Sequence, residues 1–237
     1  MNKDQEKTVI RYLLSKNLPL DLLVEVEDHM EEQLGYKMDF EGKTFDEAWK
    51  EVQESWKEDL KFSYSFGVFK KITKFQKKVI NKTSSKLFWK SLKIGFIPVL
   101  PFVFLLFYNK LWASYWMFIM YALIFVVLLG NLILNFKIIK SGTRNEKRNI
   151  SFIQGSMIIY TLSVVYIPFN ILTGYSEHFE NFYQRIIKIY HLEATFGDAF
   201  MVSYYILLLF SGIYSMLVFR MYKKQVQFLQ QKINFKL

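Results

Sequence analysis

The chain has 237 residues, 52% of them hydrophobic, and carries 31 Lys and Arg against 21 Asp and Glu, a formal net charge of +10. It contains no cysteine, which excludes disulfides, thiolate metal sites and thiol nucleophiles. The positive charge does not indicate nucleic-acid binding, because the lysines flank apolar segments, and we predict no nucleic-acid partner.

Residues 1–60 hold 16 acidic against 8 basic residues and predict a small domain of three helices. Leu18-Pro19 separates the first helix from the second, and Gly35–Gly42 is predicted to form a loop before the third. Thr44 and Glu47 match a capping box, in which each side chain bonds the other residue's backbone N–H. A segment of about 60 residues forms only a marginal core, so we expect it to pack against a partner, a second copy or the membrane-proximal helix. The apolar faces are Val9, Ile10, Leu13 and Leu14 in the first helix, Leu22, Leu23, Val26, Met30 and Leu34 in the second, and Phe45, Ala48, Trp49, Val52 and Trp56 in the third.

Three short motifs in this segment are similar to those of a known family. They are Leu18-Pro19, the run Glu25-Val26-Glu27-Asp28-His29, and the run Lys43-Thr44-Phe45-Asp46-Glu47-Ala48. Over residues 5–58 the segment resembles the HAAS-type helical domain, a permease-prefix-like N-terminal domain of bacterial membrane proteins. The resemblance implies a cytoplasmic regulatory or docking module on a membrane protein, and it implies no chemistry.

His29 is the residue here that invites a metal-binding interpretation. Glu25, Asp28 and Glu32 lie within one helical turn of it, and a metal needs such a cluster. However, the zinc-binding helix motif uses two His at i and i+4, and the second His is missing. A solvated acidic helix face explains the same residues, so we predict no metal site and no cofactor.

Residues 61–93 contain ten lysines, interleaved with aromatic residues, and no acidic residue. Over 61–86 this pattern predicts a basic amphipathic helix lying on the anionic inner leaflet, where each lysine adds roughly 1 kcal/mol of attraction. Binding of single-stranded nucleic acid is the disfavoured alternative. We also hypothesise that this basic segment pairs with the acidic segment before it. The predicted lipid-interface residues are Lys70, Lys71, Lys74, Lys77, Lys78, Phe66, Phe69 and Phe75.

Four apolar stretches predict four membrane-spanning helices, since about 20 apolar residues cross a bilayer. The spans are predicted at 87–109, 111–136, 150–174 and 199–220. The fold class is therefore all-α, with a small cytoplasmic three-helix domain, a four-helix transmembrane bundle at 87–220 and a basic cytoplasmic tail at 221–237. The loop after the second span and the tail are basic, which predicts that both termini are cytoplasmic. The resemblance to the HAAS-type domain implies a bacterial protein, so we expect the chain in the bacterial inner membrane.

The polar residues that we single out inside the predicted spans are Asn131, Asn135 and Asn170. Intramembrane amides usually bond across helices for about 1 kcal/mol or less, so packing is favoured over a ligand site. Pro98 and Pro101 are interpreted as packing kinks, with a hinge at a binding site as the alternative. Beyond the spans, residues 177–191 predict a second amphipathic helix on the outer face of the membrane.

These features predict a non-enzymatic accessory or regulatory membrane protein that docks a partner through residues 1–60. The expected partners are the membrane itself and either another protein or a second copy of the chain. The alternative is a transporter subunit whose substrate path is shared with other chains. A membrane-embedded enzyme is disfavoured, because no paired His, carboxylate cluster or nucleophile-base set falls at one membrane depth.

Overall fold

The chain is mostly helical in the computed structural model, which describes residues 1–65, 70–143, 148–172 and 174–233, with the side chains at 142, 143, 168 and 170–172 outside the description. It divides into two compact units. The first unit is Met1–Ser84, Gly142–Gly155 and Tyr222–Leu237, and the second unit is Ser85–Ser141 and Ser156–Met221. The elements are α1 (Lys3–Ser15), α2 (Leu20–Asp39), α3 (Phe45–Trp56), β1 (Phe62–Ser65), β2 (Lys70–Thr73), α4 (Lys74–Tyr108), α5 (Lys110–Leu134), α6 (Phe136–Thr143), a 3-10 turn (Gln154–Ser156), α7 (Met157–Leu172), α8 (Tyr175–Tyr190) and α9 (Phe196–Ile233).

Helices α1, α2 and α3 lie close to their predicted positions and share one apolar core. The capping box is present at the start of α3, where Thr44 and Glu47 bond each other's backbone N–H groups. The loop predicted from residue 35 is wrong at its start, because α2 continues to Asp39 and Met38 still packs against the core. Leu14, predicted on the apolar face of α1, is 45% exposed, because Val9 and Leu13 occupy the side of α1 that faces the core. The buried core residues are Val9, Leu13, Leu18, Leu23, Val26, Met30, Leu34, Ala48, Val52 and Leu60.

The first unit contains more of the chain than the predicted domain of residues 1–60. Besides α1–α3 it includes the strand pair, residues 142–155 and the end of α9. Tyr222, Val226 and Leu229 of α9 are fully buried, although the sequence predicts a cytoplasmic tail there. The predicted boundary near residue 220 is also not a helix end, because α9 runs without a break to Ile233.

The predicted interfacial helix over 61–86 is wrong in its first half. Strands β1 and β2 pair antiparallel, with Phe62 opposite Thr73 and Ser65 opposite Lys70. Aromatic and β-branched residues favour a strand, and the alternation of Phe62 and Tyr64 with two serines has a period of two. Helix α4 starts only at Lys74 and then continues to Tyr108 through Pro98 and Pro101.

Three helices of the described chain, α4, α5 and α9, are long and apolar enough to cross a membrane. The predicted count of four such helices is not confirmed. The third predicted span, 150–174, gives a 3-10 turn and then α7, which has 16 residues. Residues 150–155 of this predicted span belong to the first unit, because residues 149–150 bond to the start of α2.

Close backbone approaches and an amphipathic helix shape the second unit. A Cβ added at Gly95 of α4 would overlap the Phe210 ring of α9. Helix α8 confirms the amphipathic helix predicted over 177–191, and it buries Phe179 and Phe182 on one face.

Candidate functional site

The start of α2 is held by a chain segment that lies about 130 residues away in sequence. The first N–H groups of a helix have no partner inside the helix and must be satisfied from elsewhere. Here the N–H of Leu20 donates to the carbonyl of Asn149 at 3.0 Å, and the N–H of Asp21 donates to the carbonyl of Ile150 at 3.2 Å. Residues 149–150 therefore cap α2 within the first unit.

The carboxylate of Asp21 completes this junction. It is 3% exposed and accepts hydrogen bonds from the Ser151 hydroxyl at 2.6 Å, the Phe152 N–H at 3.1 Å and the Leu22 N–H at 2.8 Å. Burial raises the pKa of this carboxyl to about 6, against the opposing effect of the three donors. This role is not apparent from the sequence, because Asp21 has the pattern of an ordinary acidic residue in the first turn of a helix.

A cleft of about 350 Å³ opens beside Asp21 within the first unit. Four of its lining residues share one face of α2, and two more come from the C-terminal part of α9. Lys232 of α9 lies near this face, with its Nζ 3.0 Å from Asp28 Oδ2. We call this feature the acidic cleft, and it is lined by Asp21, Glu25, Asp28, His29, Gln225 and Phe228.

The charge on α2 around the acidic cleft is strongly negative. Burial, followed by repulsion from Glu31 and Asp28, raises the pKa of Glu27. Nδ1 of His29 lies 3.9 Å from Oε2 of Glu32. In the part of the chain that the structure describes, no group of three His, Cys, Asp or Glu is placed to hold a metal. The cleft is suited to a cationic side chain or segment, because three carboxylates line it and, among the described residues, only Asp28 is paired with a lysine, Lys232.

Two of the predicted lipid-interface residues contact the acidic segment instead. The Nζ of Lys74 lies 2.6 Å from Glu58 Oε2, which is one contact of the kind hypothesised between the acidic and basic segments. Phe75 packs on Trp56, with ring centroids 5.8 Å apart, and it adjoins the core of the first unit. The ring of Phe75 is thus partly covered by protein, and its contact with lipid stays a prediction.

The remaining predicted interface residues divide into three groups. Lys77 donates to the carbonyl of Tyr64 at 3.1 Å, so its head group is held by protein. Lys70, Lys71 and Lys78 are exposed, and their contact with lipid stays a prediction. Phe66 and Phe69 lie outside the described residues.

Two of the three asparagines predicted to join helices bond to the backbone of α5 itself. The side-chain amide of Asn131 donates to the carbonyl of Val127 at 2.9 Å, and that of Asn135 donates to the carbonyl of Asn131 at 3.3 Å. Each bond spans four residues, which is the spacing of one helical turn. The side chain of Asn170 lies outside the described residues.

Tyrosine hydroxyls make the cross-helix bonds that the asparagines were expected to make. A tyrosine buries its ring and still needs a partner for its hydroxyl, so it can join two apolar helices. The sequence signal is only a tyrosine inside an apolar stretch, which does not identify the partner. The bonds run from Tyr121 to the carbonyl of Tyr205 at 2.8 Å, from Tyr160 to that of Leu128 at 2.8 Å, and from Tyr175 to that of Ser114 at 2.6 Å.

The second unit also contains an apolar cavity of about 100 Å³. Residues of α4, α5, α8 and α9 line it, among them Pro98, Met117, Phe182 and Tyr205. An apolar cavity with few polar groups is the usual form of a site for a small hydrophobic molecule. Its volume is small for such a ligand, so the cavity ranks behind the acidic cleft as a functional site.

No protein-family model matches the chain, no curated protein is similar to it, and no solved structure matches its fold. Function therefore has to be inferred from the geometry and charge of the sites themselves.

Proposed function

We propose that the chain is a non-enzymatic accessory or regulatory protein of the bacterial inner membrane, and that its acidic cleft docks a basic segment of a protein partner. The observation that carries this proposal is the cleft itself, where α2 presents Glu25 and Asp28 beside the half-exposed ring of Phe228. Carboxylates around an apolar side chain match a helix that carries lysine or arginine next to an apolar anchor.

The hydrogen bonds of Asp21 support a docking role over a catalytic one. A general base or nucleophile needs free lone pairs near a substrate. The carboxylate of Asp21 instead accepts from three protein donors, two of which are backbone N–H groups. We therefore assign Asp21 to holding residues 149–152 on α2, and the exposed acids beside it, Glu25 and Asp28, to recognition.

Four crossings of the membrane, with both termini in the cytoplasm, fit this function. Helices α4, α5 and α9 supply three crossings, and we assign the fourth to α7. At 1.5 Å per residue α7 is about 24 Å long, somewhat short of a hydrocarbon core of about 30 Å, a mismatch that local thinning accommodates. The basic residues after α5 and at the end of α9 favour a cytoplasmic position for both.

Single-cysteine labelling tests this topology directly, because the chain has no cysteine of its own. A membrane-impermeant maleimide added to intact spheroplasts should label Gln184→Cys and spare Lys7→Cys and Gln230→Cys. Labelling of Gln230→Cys together with protection of Lys7→Cys would mean an odd number of crossings and would remove α7 as a span.

The docking proposal is tested with the full chain, purified in mild detergent with its bound proteins. The test variant is Glu25→Gln with Asp28→Asn, and the matched control is Asp39→Asn with Glu54→Gln, which removes the same charge from exposed positions outside the cleft. We expect a stoichiometric partner that high salt releases, that the test variant loses and that the control retains. A partner retained equally by both variants, or a uniform homo-oligomer without another protein, would contradict docking in the cleft.

The apolar cavity favours the alternative function of a transporter subunit. Under that hypothesis a small hydrophobic molecule enters among α4, α5, α8 and α9. Native mass spectrometry should then find a retained molecule that the cavity-filling variant Met120→Trp excludes. A mass equal to the bare polypeptide in both proteins would count against it.

A further inference from the structure

A second pocket in the first unit has the opposite charge to the acidic cleft. Its volume is about 60 Å³, and polar atoms form most of its surface. Two of its lining residues are apolar, and all the others are cationic or carry an amide. We call it the basic pocket, and its polar lining residues are Asn17, Lys70, Lys71, Gln76, Arg148 and Asn149.

Separate segments of the chain bring these residues together. Asn17 follows α1 with a φ of 51°, a left-handed conformation that asparagine tolerates better than most residues and that turns the chain at a helix end. Arg148 is tied to the last turn of the same helix, since its Nη2 donates to the carbonyl of Leu14 at 3.0 Å. Asn149 is fixed by the bond from Leu20, and Gln76 lies in the first turn of α4, directly after β2. The pocket is therefore a product of tertiary structure and not of one flexible lysine-rich stretch.

Among the described residues, no carboxylate balances the positive charge of the basic pocket. No acidic residue lines it among the residues that the structure describes. Within the same described part of the chain, Lys70 and Lys71 make no ion pair, whereas Lys37, Lys43, Lys57 and Lys74 each pair with a glutamate. Bringing three cations to one small pocket costs repulsion unless an anion binds there.

The donors of the basic pocket match an anion with several oxygen atoms. A guanidinium has five N–H donors, and the bond to Leu14 uses one of those on Arg148. Gln76 is only 3% exposed and contributes an amide at the wall of the pocket. One water-sized group needs about 10–15 Å³, so the volume has room for roughly four to six such groups, enough for the four oxygen atoms of a phosphate.

We propose that the basic pocket is a phosphate-binding site, formed by Lys70, Lys71 and Arg148 with the amides of Asn17, Gln76 and Asn149. The phosphate is carried either by the headgroup of an anionic lipid or by a free phosphate ion. This inference goes beyond a general attraction of lysines to the membrane, because it assigns a discrete site that needs Arg148 from a distant part of the chain. It does not depend on docking in the acidic cleft.

The test uses the full chain, with Lys71→Gln and Arg148→Gln as pocket variants. The matched control is Lys78→Gln, which removes one positive charge from an exposed position of α4 outside the pocket. In the first arm, the protein in detergent is titrated with inorganic phosphate by calorimetry, against chloride at the same ionic strength. In the second arm, the protein is reconstituted in nanodiscs of phosphatidylcholine alone or mixed equally with phosphatidylglycerol, and the lipid that remains after extraction is identified by native mass spectrometry.

The site would be assigned to a free phosphate ion if inorganic phosphate binds, if both pocket variants weaken that binding at least about tenfold, and if the control changes it less than about twofold. Retention of phosphatidylglycerol that both pocket variants lose and the control keeps, without a response to inorganic phosphate, would assign it to a lipid headgroup. Equal losses in Lys78→Gln and the pocket variants would overturn the proposal in favour of a diffuse basic surface. No binding in either arm would overturn it as well. Lys71 is exposed, so loss of binding in Lys71→Gln cannot be attributed to misfolding.

Discussion

Removing the Asp21 carboxylate should open the junction between α2 and residues 149–152. In Asp21→Ala the buried N–H groups of Leu22 and Phe152 lose their acceptor. Each orphaned buried donor costs about 1–3 kcal/mol, so the local stability should fall by about 2–6 kcal/mol. Hydrogen exchange followed by mass spectrometry reads this local opening in the membrane-reconstituted protein. A loss of about 2 kcal/mol corresponds to roughly 30-fold faster exchange of the Phe152 amide.

The same carboxyl should make the first unit sensitive to pH. Its pKa in the folded protein is about 6, above the ordinary value of 3.8, so the folded state holds the proton more tightly than the unfolded state. Protonation of the Asp21 carboxyl therefore stabilises the folded state. This stabilisation of about 3 kcal/mol is complete below about pH 4 and is lost as the pH rises through about 6. Asp21→Asn keeps the shape of the side chain and removes its titration. Hydrogen exchange at the junction should therefore lose the pH dependence of local stability that the parent protein shows.

The outcomes separate clearly because the two variants differ only in what they leave at the junction. Unchanged exchange of Phe152 in Asp21→Ala would refute the argument that the carboxylate holds residues 149–152 on α2. A slope that persists in Asp21→Asn would show that another group titrates.

Three further predictions concern other parts of the molecule. Gly95→Ala should lower the stability of the second unit in detergent by about 1–3 kcal/mol, because the added Cβ overlaps Phe210. Gly130→Ala should have no such effect, since nothing lies within 4 Å of that Cβ. Equal melting temperatures of the two variants would contradict this reasoning. Thr44→Ala should cost about 1 kcal/mol in urea unfolding by removing the cap of α3, and an unchanged midpoint would count against it. Two lysines lower the pKa of Glu51 to about 2, so its stabilising effect holds above about pH 4.5 and is lost as the pH falls towards 2. The melting temperature of Glu51→Gln should therefore depend less on acid than that of the parent protein. Identical pH profiles would contradict the pairing.

Local sequence patterns predicted the elements that depend on neighbours in sequence. The i, i+4 spacing of Val9 and Leu13 located α1, and the pair Thr44 and Glu47 located the start of α3. The length and apolarity of α4, α5 and α9 identified helices able to cross a membrane. In each case the physical cause is contained within about one turn or one continuous run of residues.

Features that depend on distant partners were not predictable in this way. The acceptor role of Asp21 depends on Ser151 and Phe152, and nothing near residue 21 announces them. The same limit explains why 150–174 was assigned as one span: a buried apolar segment and a membrane segment have the same composition, and only the partner differs. The strands at 62–65 and 70–73 are not predicted, because aromatic and apolar residues every three or four positions, with lysines between them, indicate a helix, and the period-two pattern is only four residues long.

The interrupted sequence of the first unit has a consequence for its biosynthesis. N-terminal domains usually fold while the ribosome is still translating the rest of the chain. Here the acidic cleft needs Gln225 and Phe228, so it cannot exist until these residues have been added. At about 5–20 residues per second, roughly 10–30 s separate the synthesis of α3 from that of the end of α9. Under the docking proposal, a partner that recognises the cleft should bind only chains that already include Gln225 and Phe228.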